Sequence, residues 1–185
     1  MANANAPYGL RPVRHSTGGC IRTNEYTIAA SYSTVIYTGD VVEQVTGGGI
    51  EQAAAASANV IGVFWGCSFV DGSGNQVFSK HWTGDAAATE IKAFVYDDPD
   101  IIFQVQGNAI GHAAADVFGQ ADIVVTAGTT AVGRSKSVLS DTVGTTGNFR
   151  ILRLVNDPDN AWGAYNDVEV VAAEHIFNTT GAGLA

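Results

Sequence analysis

An all-β fold, a jelly-roll-like sandwich or barrel of about ten short strands with an extended N-terminal arm and at most one short helix, is what this 185-residue sequence predicts. Three observations lead there. Short runs rich in Val, Ile, Phe, Tyr and Thr recur along the chain. Clusters of Gly, Asp or Asn punctuate them roughly every 8–12 residues, the spacing of sandwiches and barrels. Only "GHAAADVFGQA" has a helical composition, with Ala113, Ala114 and Ala115 favouring helix and Gly119 as its stop.

The first element, residues 1–24, is a leader of unusual charge. It holds Pro7, Pro12, Arg11, Arg14 and Arg22 and no acid, so it is +3 while the remainder, with six basic and eighteen acidic residues, is −12. Ordering it costs about 1–2 kcal/mol per residue in backbone entropy, and its own apolar content is small. The expectation is an arm that stays mobile until it folds onto a larger partner, with Tyr8 and Leu10 as anchors and Arg11, Arg14 and Arg22 facing acids there. The other reading of the same residues is a disordered tail or a first edge strand of the chain's own sheet.

Residues 25–177 form the expected sandwich or barrel domain. Its candidate strands are "EYTIAAS", "STVIYT", "DVVEQVT", "IEQAAAA", "VIGVFWGCSFV", "NQVFSKHWT", "EIKAFVYD", "DIIFQVQG", "ADIVVTA", "NFRILRLV" and "DVEVVAAEHIF". In "DIIFQVQG", Ile101, Phe103 and Val105 share one face and Gln104 and Gln106 the other, which predicts one buried face and one wet. In "DVEVVAAEHIF", Val168, Val170, Ala172 and Ile176 share a face. Gly47, Gly48 and Gly49 predict a hairpin, as does "VDGSGNQV". "YDDPDI" and "VNDPDN" predict turns, because the residue before proline is driven out of the α region. Asp97, Asp98 and Asp100 lack the alternating ligand spacing of a calcium loop. His112 and Asp116, four apart, predict a local hydrogen bond. Residues 127–148 are rich in Gly, Ser and Thr and predict an irregular hairpin or long surface loop, with Arg134 and Lys136 as a second contact region. The tail, residues 178–185, is expected to fray.

Several function classes are disfavoured. A net charge of −9 with only nine Lys and Arg leaves no basic stripe for nucleic acid. Cys20 and Cys67 match neither a zinc pattern nor a disulfide framework, so free thiols in a reducing cytosol are expected. No signal peptide or membrane span is legible. His15, His81, His112 and His175 are scattered without a ligand pair, there is no Gly-x-Ser-x-Gly elbow, and no P-loop ending follows "TGGGIEQ". No catalytic residue, cofactor or metal is therefore assigned. Phe64, Trp65, Phe69, Phe78, Trp82 and Trp162 sit in or beside strands and predict core, with a carbohydrate platform as their other use. Charged residues make up only 15%, which predicts a bland surface suited to assembly.

"MANANAPYGLRPV", "TGDVVEQVTGGGIEQAAA" running into "VIGVFWG", and "VEVVAAEHIF" resemble capsid decoration, or cement, proteins of tailed bacteriophages. The likeness covers the first 70 residues best and the final strand next, and the chain departs from the small trimeric members in length and in its long middle. The resemblance implies a non-enzymatic virion protein on the capsid exterior, made in the bacterial cytoplasm. Such a protein clamps neighbouring major capsid protein subunits as a homo-oligomer (dimer or trimer), without contacting nucleic acid or membrane. The rival expectation is a carbohydrate or host-surface binding module of a virion.

Overall fold

The computed structural model describes residues 3–29 and 31–177. Among them are fourteen strands and one 3-10 turn at Ala114–Asp116. The strands are β1 Arg11–His15, β2 Asn24–Tyr26, β3 Ile36–Tyr37, β4 Val41–Gln44, β5 Ile50–Gln52, β6 Val60–Val70, β7 Gln76–Ser79, β8 His81–Trp82, β9 Thr89–Tyr96, β10 Ile101–Gln106, β11 Gln120–Val124, β12 Val138–Gly144, β13 Phe149–Leu154 and β14 Asp167–Ala172. One antiparallel sheet runs β1-β10-β14-β13-β11-β12. The second runs β2-β9-β6-β4-β5, with β7 also on β6, and β3 and β8 make a two-stranded ribbon. The expected all-β sandwich is the fold.

Two cores explain why "VIGVFWGCSFV" is apolar without alternation. Val60 and Val63 face the first sheet and pack with Leu10, Ile101, Phe103, Ile151 and Val170. Ile61, Phe64, Cys67 and Phe69 point the other way, into a second core with Ile36 and Trp82 of the ribbon. A strand buried on both faces reads as a continuous apolar run, and each large side chain so buried contributes about 1.5–3 kcal/mol. Burial also pushes the Cys67 thiol up to about 12, and both cysteines are free.

The glycine hairpin is present: Gln44 pairs with Ile50, and Gly47, Gly48 and Gly49 all have positive φ. The "VDGSGNQV" hairpin joins β6 to β7, with the Asp71 carboxylate accepting from the Ser73 and Asn75 amides. "YDDPDI" turns the chain from one sheet into the other.

Four expectations are corrected, and one choice between two readings is decided. Residues 3–15 are not a free arm, and the other reading, an edge strand of the chain's own sheet, holds: β1 pairs antiparallel with β10, Arg11 opposite Gln104 and His15 opposite Ile101. The glutamine face of β10 is not wet, because the Gln106 amide accepts from the Ala6 N–H and donates to the Ala4 carbonyl, so the leader covers it. Of the two readings of residues 127–148, the irregular hairpin is present: β12 pairs antiparallel with β11 with a register shift between Ala121 and Ile123, and Leu139 and Val143 reach the inter-sheet core from β12, whose Ser and Thr suit its wet positions. β14 stops at Ala172, and Ile176 packs into the second core instead of following Val170. The Asp116 carboxylate accepts from the Ala113 amide and not from His112, both of whose ring nitrogens are buried with no partner among the described residues. The tail, residues 178–185, lies outside the described residues.

Candidate functional site

The exposed aromatic surface begins at an irregularity in β6. Phe64 pairs with Val95 and Gly66 with Phe94, so Trp65 is an extra residue on β6, a bulge. A bulge re-aims a side chain. Trp65 is accordingly 51% exposed in a strand whose neighbours Phe64 and Gly66 are buried. The same point is where β6 changes partners, from β4 at Val60–Val63 to β7 at Cys67–Val70. Thr38 fills the gap: its hydroxyl shares one proton between the Trp65 carbonyl (2.7 Å) and the Lys80 carbonyl (2.6 Å).

Around Trp65 lies a groove of about 420 Å³ lined by Phe78, Phe94, Lys80, Val132 and Arg134. Phe78, on β7, is 78% exposed, and Val132 is 58% exposed. The Trp65 and Phe94 rings meet edge to face, 6.1 Å between centroids. A second groove of about 300 Å³ shares Thr38, Trp65 and Arg134 with the first, and adds Tyr8, Leu10, Arg11 and Tyr96. Both cations in these walls that the sequence singled out, Arg11 and Arg134, are exposed.

A buried carboxylate holds this surface in shape. Asp40 accepts from the Tyr37 amide (2.8 Å), the Gln52 side chain (2.8 Å) and the hydroxyls of Ser135 (2.5 Å) and Ser137 (3.2 Å). Burial raises its pKa, and those four donors work against the rise. Asp40 thereby ties the 129–137 segment to the β3–β4 turn, and Arg134 pairs through its backbone with Thr38 and Thr129. Gly9 completes the joint: a Cβ there would lie 2.6 Å from the Gly39 carbonyl oxygen and from the Ser135 Cβ.

The structure brings Tyr8, Leu10, Arg11 and Arg134 to one place and leaves Arg14, Arg22 and Lys136 elsewhere. Tyr8 donates its hydroxyl to Asp167 (3.0 Å) and carries the Arg11 guanidinium over its ring at 5.4 Å. Burial first, and the Asp167 charge second, push the Tyr8 phenol above its ordinary value. Leu10 is core. Arg11 donates to Gln104 (2.5 Å). Arg14 reaches across β10 to Glu169 (2.8 Å), which also takes two hydrogen bonds from Arg153. Burial pushes the Glu169 carboxyl up, but the hydrogen bonds from Arg153 and Arg14 outweigh it and hold the group below its ordinary value. Arg22 and Lys136 are exposed and line neither groove.

Of the three tryptophans, Trp82 is fully buried and Trp162 packs against the inter-sheet core, so Trp65 alone offers an open indole. Sequence reasoning placed Trp65 and Phe78 in the core by strand membership. "FWG" inside an apolar run was the one available signal, since glycine in a strand often marks a bulge. Comparison with known proteins finds no matching family model, curated protein or solved structure. No helix among the described residues is long and apolar enough to cross a membrane.

Proposed function

We propose that this chain is a structural protein of a tailed-phage virion that binds the outer surface of the head and fastens neighbouring major capsid protein subunits. One observation carries the adhesive part of that reading: Trp65 and Phe78 stand open beside Lys80 and Arg134 in a molecule of net charge −9. Aromatic and Arg side chains in a formed groove are the residue types that dominate binding energy at protein interfaces. The capsid part rests on the resemblance of the opening, the glycine hairpin and the final strand to decoration proteins.

The leader's role changes within this reading. Its anchors are spent on the chain's own body, so the contact falls to the groove, and residues 3–15 serve as one wall of it. Contacts repeated by capsid symmetry stiffen a shell even when each is weak, because attachment at one point raises the effective concentration of the next. The test is co-sedimentation of the purified chain with empty heads, together with the melting temperature of those heads. Binding that is lost in Trp65→Ala and Phe78→Ser supports the proposal; a chain that stays in the supernatant with intact heads overturns it.

The open Trp65 indole also favours a second reading, a glycan-binding module. Quenching or a blue shift of its fluorescence by oligosaccharides at millimolar concentration, without any binding to heads, would establish that alternative.

A further inference from the structure

The turn between β9 and β10 and the end of β1 bring an imidazole and two carboxylates together. His15, Asp98 and Asp100 each offer one ligand atom, and these atoms all lie within 4.8 Å of one another. The His15 side chain is only 8% exposed, with Nε2 3.0 Å from Asp98 Oδ2. The chain separates the two by 83 positions, so the β1–β10 pairing, in which His15 sits opposite Ile101, creates the cluster. Two carboxylates this close repel each other, and a shared cation relieves that repulsion. Arg22 is near enough to lower the Asp98 pKa, although it makes no ion pair with it among the described residues.

We propose that His15, Asp98 and Asp100 bind a divalent transition-metal cation of the Zn²⁺ class, with water in the remaining coordination positions. The donor set, one nitrogen and two carboxylate oxygens, is borderline in hardness and suits Zn²⁺ or Mn²⁺ better than the all-oxygen cage that Ca²⁺ prefers. Without metal, the Thr17 amide donates to His15 Nδ1 (3.3 Å), so Nδ1 is unprotonated and Nε2–H donates to Asp98. To ligate through Nε2, the ring moves its one proton to Nδ1, with no net gain or loss. The Thr17 hydroxyl, 3.0 Å from Nδ1, then accepts it, and the Thr17 amide gives up its bond to Nδ1. A metal-bound histidine normally has such an outer acceptor. The Asp100 side chain makes no hydrogen bond among the described residues, and it is exposed, so it is free to turn inward. The bound ion ties the leader to the β9–β10 turn, which makes metal a clamp on the strand that walls the groove.

The experiment is isothermal titration of the full chain with ZnCl₂, in a Cys20→Ser background so that the exposed thiol takes no zinc. The expected result is one zinc per chain, a higher melting temperature on saturation, and a long-range ¹H–¹⁵N spectrum in which His15 changes from the Nε2–H to the Nδ1–H tautomer. Asp100→Asn should weaken zinc by at least roughly 10–100-fold, the loss that even an outer-shell partner causes, without lowering the metal-free melting temperature, which separates lost ligation from lost folding. No stoichiometric zinc binding, or binding that is equal in Asp100→Asn, or a His15 tautomer that does not change, overturns the proposal.

Discussion

The leader and the Trp65 groove are adjacent and opposite in kind. Leader residues find their partners at home: Leu10 in the core, Tyr8 on Asp167, Arg11 on Gln104, Arg14 on Glu169, and the Ala4 and Ala6 peptides on Gln106. In the groove, Trp65, Phe78 and Val132 stay open to solvent, and the Arg134 side chain makes no ion pair among the described residues. A local excess of positive charge is thus no guide by itself to where a partner binds. The Arg14–Glu169–Arg153 ladder shows the same charges used to fasten an edge strand across a sheet. Groups already satisfied inside the fold add little to a docked interface, whereas unpartnered apolar surface gains by being covered.

That comparison breaks first at the joint of the leader. Leu10→Ala should cost about 2–5 kcal/mol of stability by leaving a cavity between the sheets. Gly9→Ala should cost several kcal/mol as well, since φ is +73° there and the added methyl meets the Gly39 carbonyl and Ser135. Urea unfolding checks both, and wild-type midpoints would mean that the leader is not integral.

Next in size is the ladder. Glu169→Gln leaves Arg14 and Arg153 with a neutral acceptor and should cost about 1–3 kcal/mol. Because the folded carboxyl sits below its ordinary value of 4.5, the wild-type advantage over this variant is present above that pH and is lost as pH falls through the lowered value. Melting temperatures of the pair between neutral and strongly acid pH should converge.

A smaller effect follows from the buried histidines. Burial pushes His112 and His175 below the ordinary value of 6.5. The unfolded chain therefore takes up protons first, so their contribution is complete above about pH 6.5 and declines as pH drops below it. Asp40, pushed up by burial, acts in the opposite sense. The histidine share is read as the difference in melting-temperature slope between wild type and His112→Asn or His175→Asn from pH 7.5 to 5.5, and equal slopes would contradict it.

The smallest stability change is expected where the largest binding change is. Trp65→Ala should alter folding stability by no more than about 0.5–1 kcal/mol, being half exposed, while binding to heads should weaken by at least tenfold, the cost of a central aromatic hot spot. If Trp65→Ala instead unfolds the protein as Leu10→Ala does, the groove is a structural seam and the contrast with the leader disappears.

Much of the strand inventory was legible because its signal is local. Each of the eleven candidate runs overlaps a strand, and "VIGVFWGCSFV" coincides with β6 from end to end. "NQVFSKHWT" is the instructive case, divided at Lys80 into β7 on one sheet and β8 on the ribbon. Nothing in a single strand's alternation tells which neighbour it will choose. β1 and β12 were legible only as one of two readings, an edge strand and an irregular hairpin, for a related reason: prolines and arginines in one, and Ser, Thr and Gly in the other, lower the apolar contrast on which strand reading depends. Of the candidate site, Arg134 and the Tyr8–Arg11 stretch were legible as charged or anchoring residues, but the two aromatics at its centre were not.

What the sequence determined by itself is the all-β class, the glycine and Asp-Pro turns, and the uneven charge, since each depends on residues close together in the chain. Tertiary structure alone decided that the leader closes onto its own sheet, that β6 is buried on both faces, and that a one-residue bulge turns Trp65 outward beside Arg134. These outcomes depend on pairing between strands far apart in sequence, where a shift of one residue exchanges the buried face for the exposed one.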